Sequence, residues 1–204
     1  MLVFDGVDDL DVAGPYGTWS MARRAGAAVS VRLVSEGAVS TVTTAGGLRL
    51  APVQRWSPGT ADVVFVPGGG FTSAQHPGVA VELATGRIPT ALRSAVRPGL
   101  VLASVCTGAL LLAAAGVLSG RPCTTHHRAI AALTEAGGEP VDARVVDDGD
   151  VVTAGGVTAG LDLALWLVER FHGAEVAATV ARGLEYERQG QVWQSPAPIS
   201  GGGA

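Results

Sequence analysis

Apolar positions along the chain fall into short runs separated by segments of helical period. Leu2–Phe4 is a short apolar run, and Asp8 to Ala25 reads as a helical region interrupted at Gly14-Pro15. Val29–Val34 alternates like a strand. Residues 38 to 50 read as a β-hairpin turning at Gly46-Gly47, and Asp62–Val66 as a buried strand ending on Pro67-Gly68-Gly69-Gly70. The segment from about Val79 to Arg97 is helical, with a break near Gly86 to Pro89. Leu100–Val105 is apolar on both faces apart from Ser104, which fits a central parallel strand covered on both sides. Thr107–Ala115 is apolar all round and predicts a buried helix. Pro122–Thr125 reads as a short strand, His127–Ala136 as a helix, and Val141–Val146 with Asp150–Ala154 as a hairpin around Asp148-Gly149. Gly160–Phe171 and Ala174–Glu185 are the last helices. Strand–helix alternation at this spacing predicts an α/β fold, a doubly wound sandwich with helices on both faces of a mostly parallel central sheet.

At 204 residues the chain fits one domain, expected over 1–190. Residues 191–204 are expected to form a flexible tail, rich in Pro, Gly and Ser from Ser195 onward. The net charge of −4 carries no basic excess, so no nucleic-acid partner is expected. All 14 basic residues are arginine, which excludes Schiff-base chemistry on lysine and a P-loop lysine. Two cysteines, Cys106 and Cys123, do not make a disulfide scaffold and read as free thiols of a reducing, cytoplasmic compartment. Cys123, His126 and His127 lie close in sequence, but without a second cluster they do not read as a zinc site, and no metal is expected. The start of the chain lacks the charged head and apolar run of a signal peptide, and no segment reads as a membrane span.

In a doubly wound sheet, ligands bind beyond the carboxyl ends of the strands. Ser104-Val105-Cys106-Thr107-Gly108 puts a cysteine where a central strand turns into a helix, like the strand–nucleophile–helix turn of hydrolases. Free N–H groups at a helix start favour an anion, so a nucleophilic Cys106 is expected to have a lowered pKa there. The competing reading is a small buried hydrophobe. Pro67-Gly68-Gly69-Gly70 is either a plain turn or a loop whose backbone approaches a ligand. Asp5, Asp8, Asp9 and Asp11 follow the first strand; Asp8 or Asp9 caps the helix, whereas Asp11 lies one turn inside and can point over the strand ends. The Gly-rich run Ala154-Gly155-Gly156-Val157-Thr158 either lines a pocket or leads to a helix cap. Between His126 and His127 no local rule chooses a base.

Five motifs in order resemble one family. They are Val3-Phe4-Asp5-Gly6 with Leu10-Asp11-Val12-Ala13-Gly14-Pro15; Val66-Pro67-Gly68-Gly69; Ser104-Val105-Cys106-Thr107-Gly108; Thr124-Thr125-His126; and Thr153 to Asp162. Together they resemble the ThiJ/PfpI superfamily (glutamine amidotransferase-like), and within it the isonitrile hydratase branch, from about residue 3 to residue 188. The resemblance implies a flavodoxin-like sandwich and a homodimer. It also implies Cys106 as nucleophile, Asp11 as its acidic partner, and Thr107 with the backbone of Gly69 and Gly70 in the same pocket. Gly156, Val157 and His126, inside the later motifs, are expected beside them. The implied reaction hydrates an isonitrile to an N-substituted formamide through a Cys106 thioimidate, with Asp11 as general acid/base and no cofactor. Peptidase-like and several deglycase-like members place His directly after the cysteine; here Thr107 stands there, which argues against a Cys–His dyad. Some relatives carry a DNA-binding region after the domain, and this chain is expected to lack one. Two rivals remain: glyoxalase or deglycase action on small α-oxoaldehydes through Cys106, and a non-catalytic cysteine sensor or binding protein.

Overall fold

The structure is a computed structural model that describes residues 1–37 and 39–196. In chain order its first elements are α1 (Asp9–Arg24), β1 (Val34–Ser35), β2 (Val42–Thr43), β3 (Arg49–Leu50), β4 (Gln54–Arg55), β5 (Val63–Val66), α2 (Val79–Thr85), α3 (Arg87–Ala95), β6 (Val101–Val105) and α4 (Gly108–Ala114). Then come β7 (Pro122–Cys123), α5 (Ile130–Glu135), β8 (Glu139–Pro140), β9 (Val145–Asp147), β10 (Val151–Ala154), α6 (Ala159–His172), α7 (Ala174–Leu184) and β11 (Trp193–Gln194).

The central sheet runs β11-β9-β10-β6-β5. β5, β6 and β10 are mutually parallel, and β9 is antiparallel to β10. Beyond β5 the first residues continue the layer: Leu2 N–H donates to Phe65 O at 2.9 Å, and Leu2 bridges in parallel to Val34 of β1, which pairs with β4. β6 and β10 are buried at every position, as a parallel strand between two helical layers must be. The helices form two packed groups, α1 with α6 and α7, and α4 with α2, α3 and α5. The flavodoxin-like α/β sandwich expected from the sequence is therefore present.

Three local differences have physical causes. α1 runs unbroken through Pro15 rather than stopping at Gly14-Pro15. Proline removes one helical N–H, but packing across α1 and α6 offsets the loss. A Cβ on Gly160 would lie 3.2 Å from Pro15 Cγ, and one on Gly14 would lie 3.3 Å from Leu161 Cδ2, so the two helices close on small residues. Second, of the alternating Val29–Val34 run only Val34 is in a strand, because β4, its partner, is confined to two residues before Trp56 and the Pro58 turn. Third, the segment expected as a loose tail adds β11 parallel to β9, with Trp193 opposite Val146; the rest of that tail, 197–204, lies outside the described residues. The expected hairpin is seen as β2 antiparallel to β3; residue 38, at its predicted start, is also outside them. Among the described residues no helix is long and apolar enough to cross a membrane.

Candidate active site

β6 ends at Val105, and the chain turns at once into α4. Cys106 makes that turn at φ 57°, left-handed backbone that a non-glycine residue occupies at a cost of order 1–3 kcal/mol. Three hydrogen bonds hold it there. Its N–H donates to Gly155 O at 2.8 Å and Ala154 O at 3.2 Å, and its carbonyl accepts from Thr125 Oγ1 at 2.7 Å. Gly108 lets α4 begin directly against β5, since a Cβ there would stand 2.2 Å from Val66 O. Cys106 itself is buried, with 7% of its surface exposed.

The loop after β5 brings Asp11 and Thr107 to this turn. Gly68 N–H donates to Asp11 Oδ2 at 2.9 Å; a Cβ on Gly68 would lie 2.6 Å from both Thr107 N and Thr107 Oγ1. Thr107 Oγ1 donates to Gly69 O at 2.7 Å and accepts from Gly69 N–H at 2.9 Å. The Thr107 hydroxyl thus clamps the Gly69 peptide, and the Gly69 N–H is already engaged. Gly70 lies further out: its carbonyl accepts from Ala80 N–H at 3.0 Å, at the start of α2.

Asp11 is fully buried, and its Oδ1 lacks a hydrogen-bond partner. Burial, and then the Asp8 carboxylate, raise its pKa to about 7, against the Gly68 N–H and the Cys106 thiol, which lower it as hydrogen-bond donors. The Cys106 thiol is pushed up to about 12, first by burial and then by Asp11, with Asp8 adding a smaller push. The backbone N–H groups of Val157 and Thr107 pull the other way and lose. The lowered thiol pKa expected from the helix start is therefore reversed: a seven-residue helix cannot outweigh desolvation and two carboxylates. Above about pH 7 the pair holds one proton, and that proton rests on sulfur.

The fourth wall is the loop after β10. Val157 adopts φ 47°, and its N–H faces the sulfur. Gly156 makes room for an imidazole, because a Cβ there would lie 2.2 Å from His126 Cδ2. His126 Nδ1 accepts from Arg128 N–H at 3.2 Å, and its ring sits 4.2 Å from that of His127. Burial, then His127 and Arg128, lower the His126 pKa. Among the described residues neither histidine hydrogen-bonds to Cys106 or Asp11. Cys123 is buried elsewhere, against Gly138. Among the described residues no three His, Cys, Asp or Glu side chains gather as a metal site. A cavity of about 460 Å³ opens at the opposite, amino ends of β1 and β5, lined by Trp19, Val31, Trp56 and Phe171 among others; none of the residues around Cys106 borders it.

The structure thus brings Cys106, Asp11, Thr107, Gly69, Val157, Gly156 and His126 together and leaves Gly70 at the rim. Sequence reasoning missed two members. Thr125, which holds the Cys106 carbonyl, sits in the Thr124-Thr125-His126 motif, but only the histidine reads as chemistry. Asp8 reads as a helix cap and is one, yet its charge also bears on both Asp11 and Cys106.

A flavodoxin-like sandwich with a buried cysteine at a left-handed strand-to-helix turn, backed by a buried carboxyl group, defines a cysteine-centred α/β class. Within that class the chain belongs to the DJ-1/PfpI family, whose pattern matches residues 1–170. It is 37% identical over 186 residues to the isonitrile hydratase of Pseudomonas putida, covering 91% of this chain and 76% of that one. It is 28% identical over 125 residues to the glutathione-independent glyoxalase DJR-1.2 of Caenorhabditis elegans, covering 61% of this chain and 63% of that one. Among solved structures, a ThiJ/PfpI family protein from Pseudomonas syringae superposes with a TM-score of 0.72 at 29% identity, covering 100% of this chain and 77% of that one.

Proposed function

We propose that the protein is a cysteine-dependent isonitrile hydratase, converting R–NC and water to R–NH–CHO. The observation that carries this reading is the buried Cys106–Asp11 pair, with Asp11 raised to about 7 and no imidazole bonded to the sulfur. An isonitrile carbon must gain a proton as a nucleophile joins it. In the singly protonated pair, Asp11 takes the thiol proton as the S–C bond forms and delivers it to that carbon, giving the thioimidate R–N=CH–S–Cys106. Water then adds to the same carbon. Asp11 accepts one proton of the attacking water and passes it to the nitrogen; the remaining hydroxyl proton passes through Asp11 to the sulfur as the C–S bond breaks, releasing the formamide and the thiol. The two steps balance with water as the sole co-reactant. The N–H groups of Val157 and Thr107 stabilise negative charge on sulfur during both. The pair is active when singly protonated, so kcat/KM should rise with pH through about 7 and stay high above it.

The test is turnover of a simple alkyl isonitrile by the wild type, Cys106→Ala and Asp11→Asn, with formamide measured directly. The expected result is loss to background in Cys106→Ala, a drop of at least about 100-fold in Asp11→Asn, and disappearance of the limb near pH 7 in that variant. Turnover surviving in Cys106→Ala would sink the mechanism. A glyoxalase activity is the second reading, favoured by the C. elegans relative; methylglyoxal consumption with no isonitrile turnover would select it.

A further inference from the structure

Several acids of this molecule are matched by arginine: Asp147 by Arg170, Asp148 and Asp150 by Arg121, Asp162 by Arg144, Glu169 by Arg188. The two carboxyl groups at the Cys106 site, Asp8 and Asp11, are not among them. Asp8 caps α1, its Oδ1 accepting from Leu10 N–H at 3.0 Å and Asp11 N–H at 3.2 Å. The Asp8 N–H donates to Gly68 O at 2.9 Å, and Gly68 returns its own N–H to Asp11 Oδ2 at 2.9 Å. This ladder ties Asp8 and Asp11, within one helical turn, to a single residue, Gly68. Neither forms an ion pair among the described residues.

Asp8 is half-buried, and its carboxylate bears on both Asp11 and Cys106. The groups bearing on the sulfur are Asp11 and Asp8 at the start of α1 and the backbone N–H groups of Val157 and Thr107. His126 packs against Gly156, beside Val157; burial and its neighbours His127 and Arg128 lower its pKa, against a smaller raise from Asp8. Among the described residues no guanidinium is paired with Asp8 or Asp11 to offset the carboxylates.

We propose that Asp8 is a specificity-determining residue: its fixed, uncompensated carboxylate makes the Cys106 site take uncharged or cationic reactants in preference to anions. The inference rests on the reading of Cys106 as the reacting group and adds a substrate class to it, namely isonitriles whose substituent carries no carboxylate or phosphate. A unit charge several ångströms away, partly screened by solvent, discriminates by about three- to tenfold.

Two alkylating probes of matched chemistry test this without any isonitrile. Cys106 modification by neutral iodoacetamide and by anionic iodoacetate is followed site by site by mass spectrometry, at pH 8 and low salt. The amide-to-acetate rate ratio, normalised to a free cysteine peptide, should exceed one in the wild type. It should fall about three- to tenfold in Asp8→Asn and weaken with added salt. Asparagine caps a helix as well as aspartate does, and Asp8→Ser, which also keeps a capping oxygen, serves if Asp8→Asn is unstable. Glu135→Gln, which removes a remote exposed charge, should leave the ratio unchanged. An unchanged ratio in both Asp8 variants, an equal shift in Glu135→Gln, or a Cys106 that neither reagent modifies overturns the inference. The readout is independent of hydratase turnover, so a charge preference without isonitrile hydration would retire the proposed reaction and leave the role of Asp8 standing. With turnover in hand, kcat/KM for isocyanoacetate against its neutral ester should follow the same ratio.

Discussion

Asp11 carries two opposed demands. In the proposed reaction its carboxylate accepts the thiol proton, yet burial makes that charge costly. The folded state holds the Asp11 proton until about pH 7, whereas an unfolded chain releases it near pH ~4. The folded state therefore binds more protons between those values, and stability falls as pH rises through that window. Asp11→Asn keeps an acceptor for the Gly68 N–H and removes the buried charge. It should be more stable than the wild type at pH 8 by a few kcal/mol, on the order of the linkage between those two pKa values, with the gain gone by about pH 4. Urea unfolding of both proteins across pH reads this directly; a variant less stable than the wild type at pH 8 would contradict the assignment. Cys106 at a strand end and Asp11 one turn inside a helix each stand out in the sequence as candidates, and their pairing is what the family resemblance implies. The direction of the thiol pKa is not: it depends on the burial of the turn and on two carboxylates brought in from another element.

At the scale of elements, the site is an intersection of backbones rather than of side chains. The start of α4 presses on the last carbonyls of β5, and the Gly68 loop presses on Thr107. Gly108→Ala puts a methyl group into a backbone oxygen that cannot move without shifting β5. It should cost several kcal/mol and lower the thermal midpoint sharply, as a core overpacking does. Calorimetry of the variant checks this, and a near-neutral midpoint would mean that α4 can start further from the sheet. The strand and helix order was readable from alternating and continuous apolar runs because β6, β10 and α4 are buried on all sides. The unbroken course of α1 was not, since its continuity depends on Gly160 and Leu161 in a helix far along the chain. The alternating Val29–Val34 run yields only the short β1 for the same kind of reason: alternation marks a strand only where a partner lies alongside.

The molecule as a whole is tied together at β9, the antiparallel strand of the central sheet. Asp147 accepts from Trp166 Nε1 at 2.7 Å and Arg170 Nη1 at 3.1 Å, and its carbonyl accepts from Ser195 N–H at 3.0 Å. One buried acid thus joins α6 to β9, beside the β11 edge. Asp147→Ala leaves the Trp166 N–H without its partner and Arg170 with only the Gly149 carbonyl, and should cost about 1–3 kcal/mol. Guanidinium unfolding checks it, and a loss under about 1 kcal/mol would show that the neighbours repack. The distribution of the two thiols has a consequence at the same scale. Cys106 and Cys123 are both buried, with thiol pKa values pushed to about 12 and about 11. Peroxide attacks thiolates, and at neutral pH this chain presents almost none. Cys106 is therefore shielded from oxidation in the resting protein, and under the proposed reaction its sulfur becomes an anion only while a reactant takes up the proton.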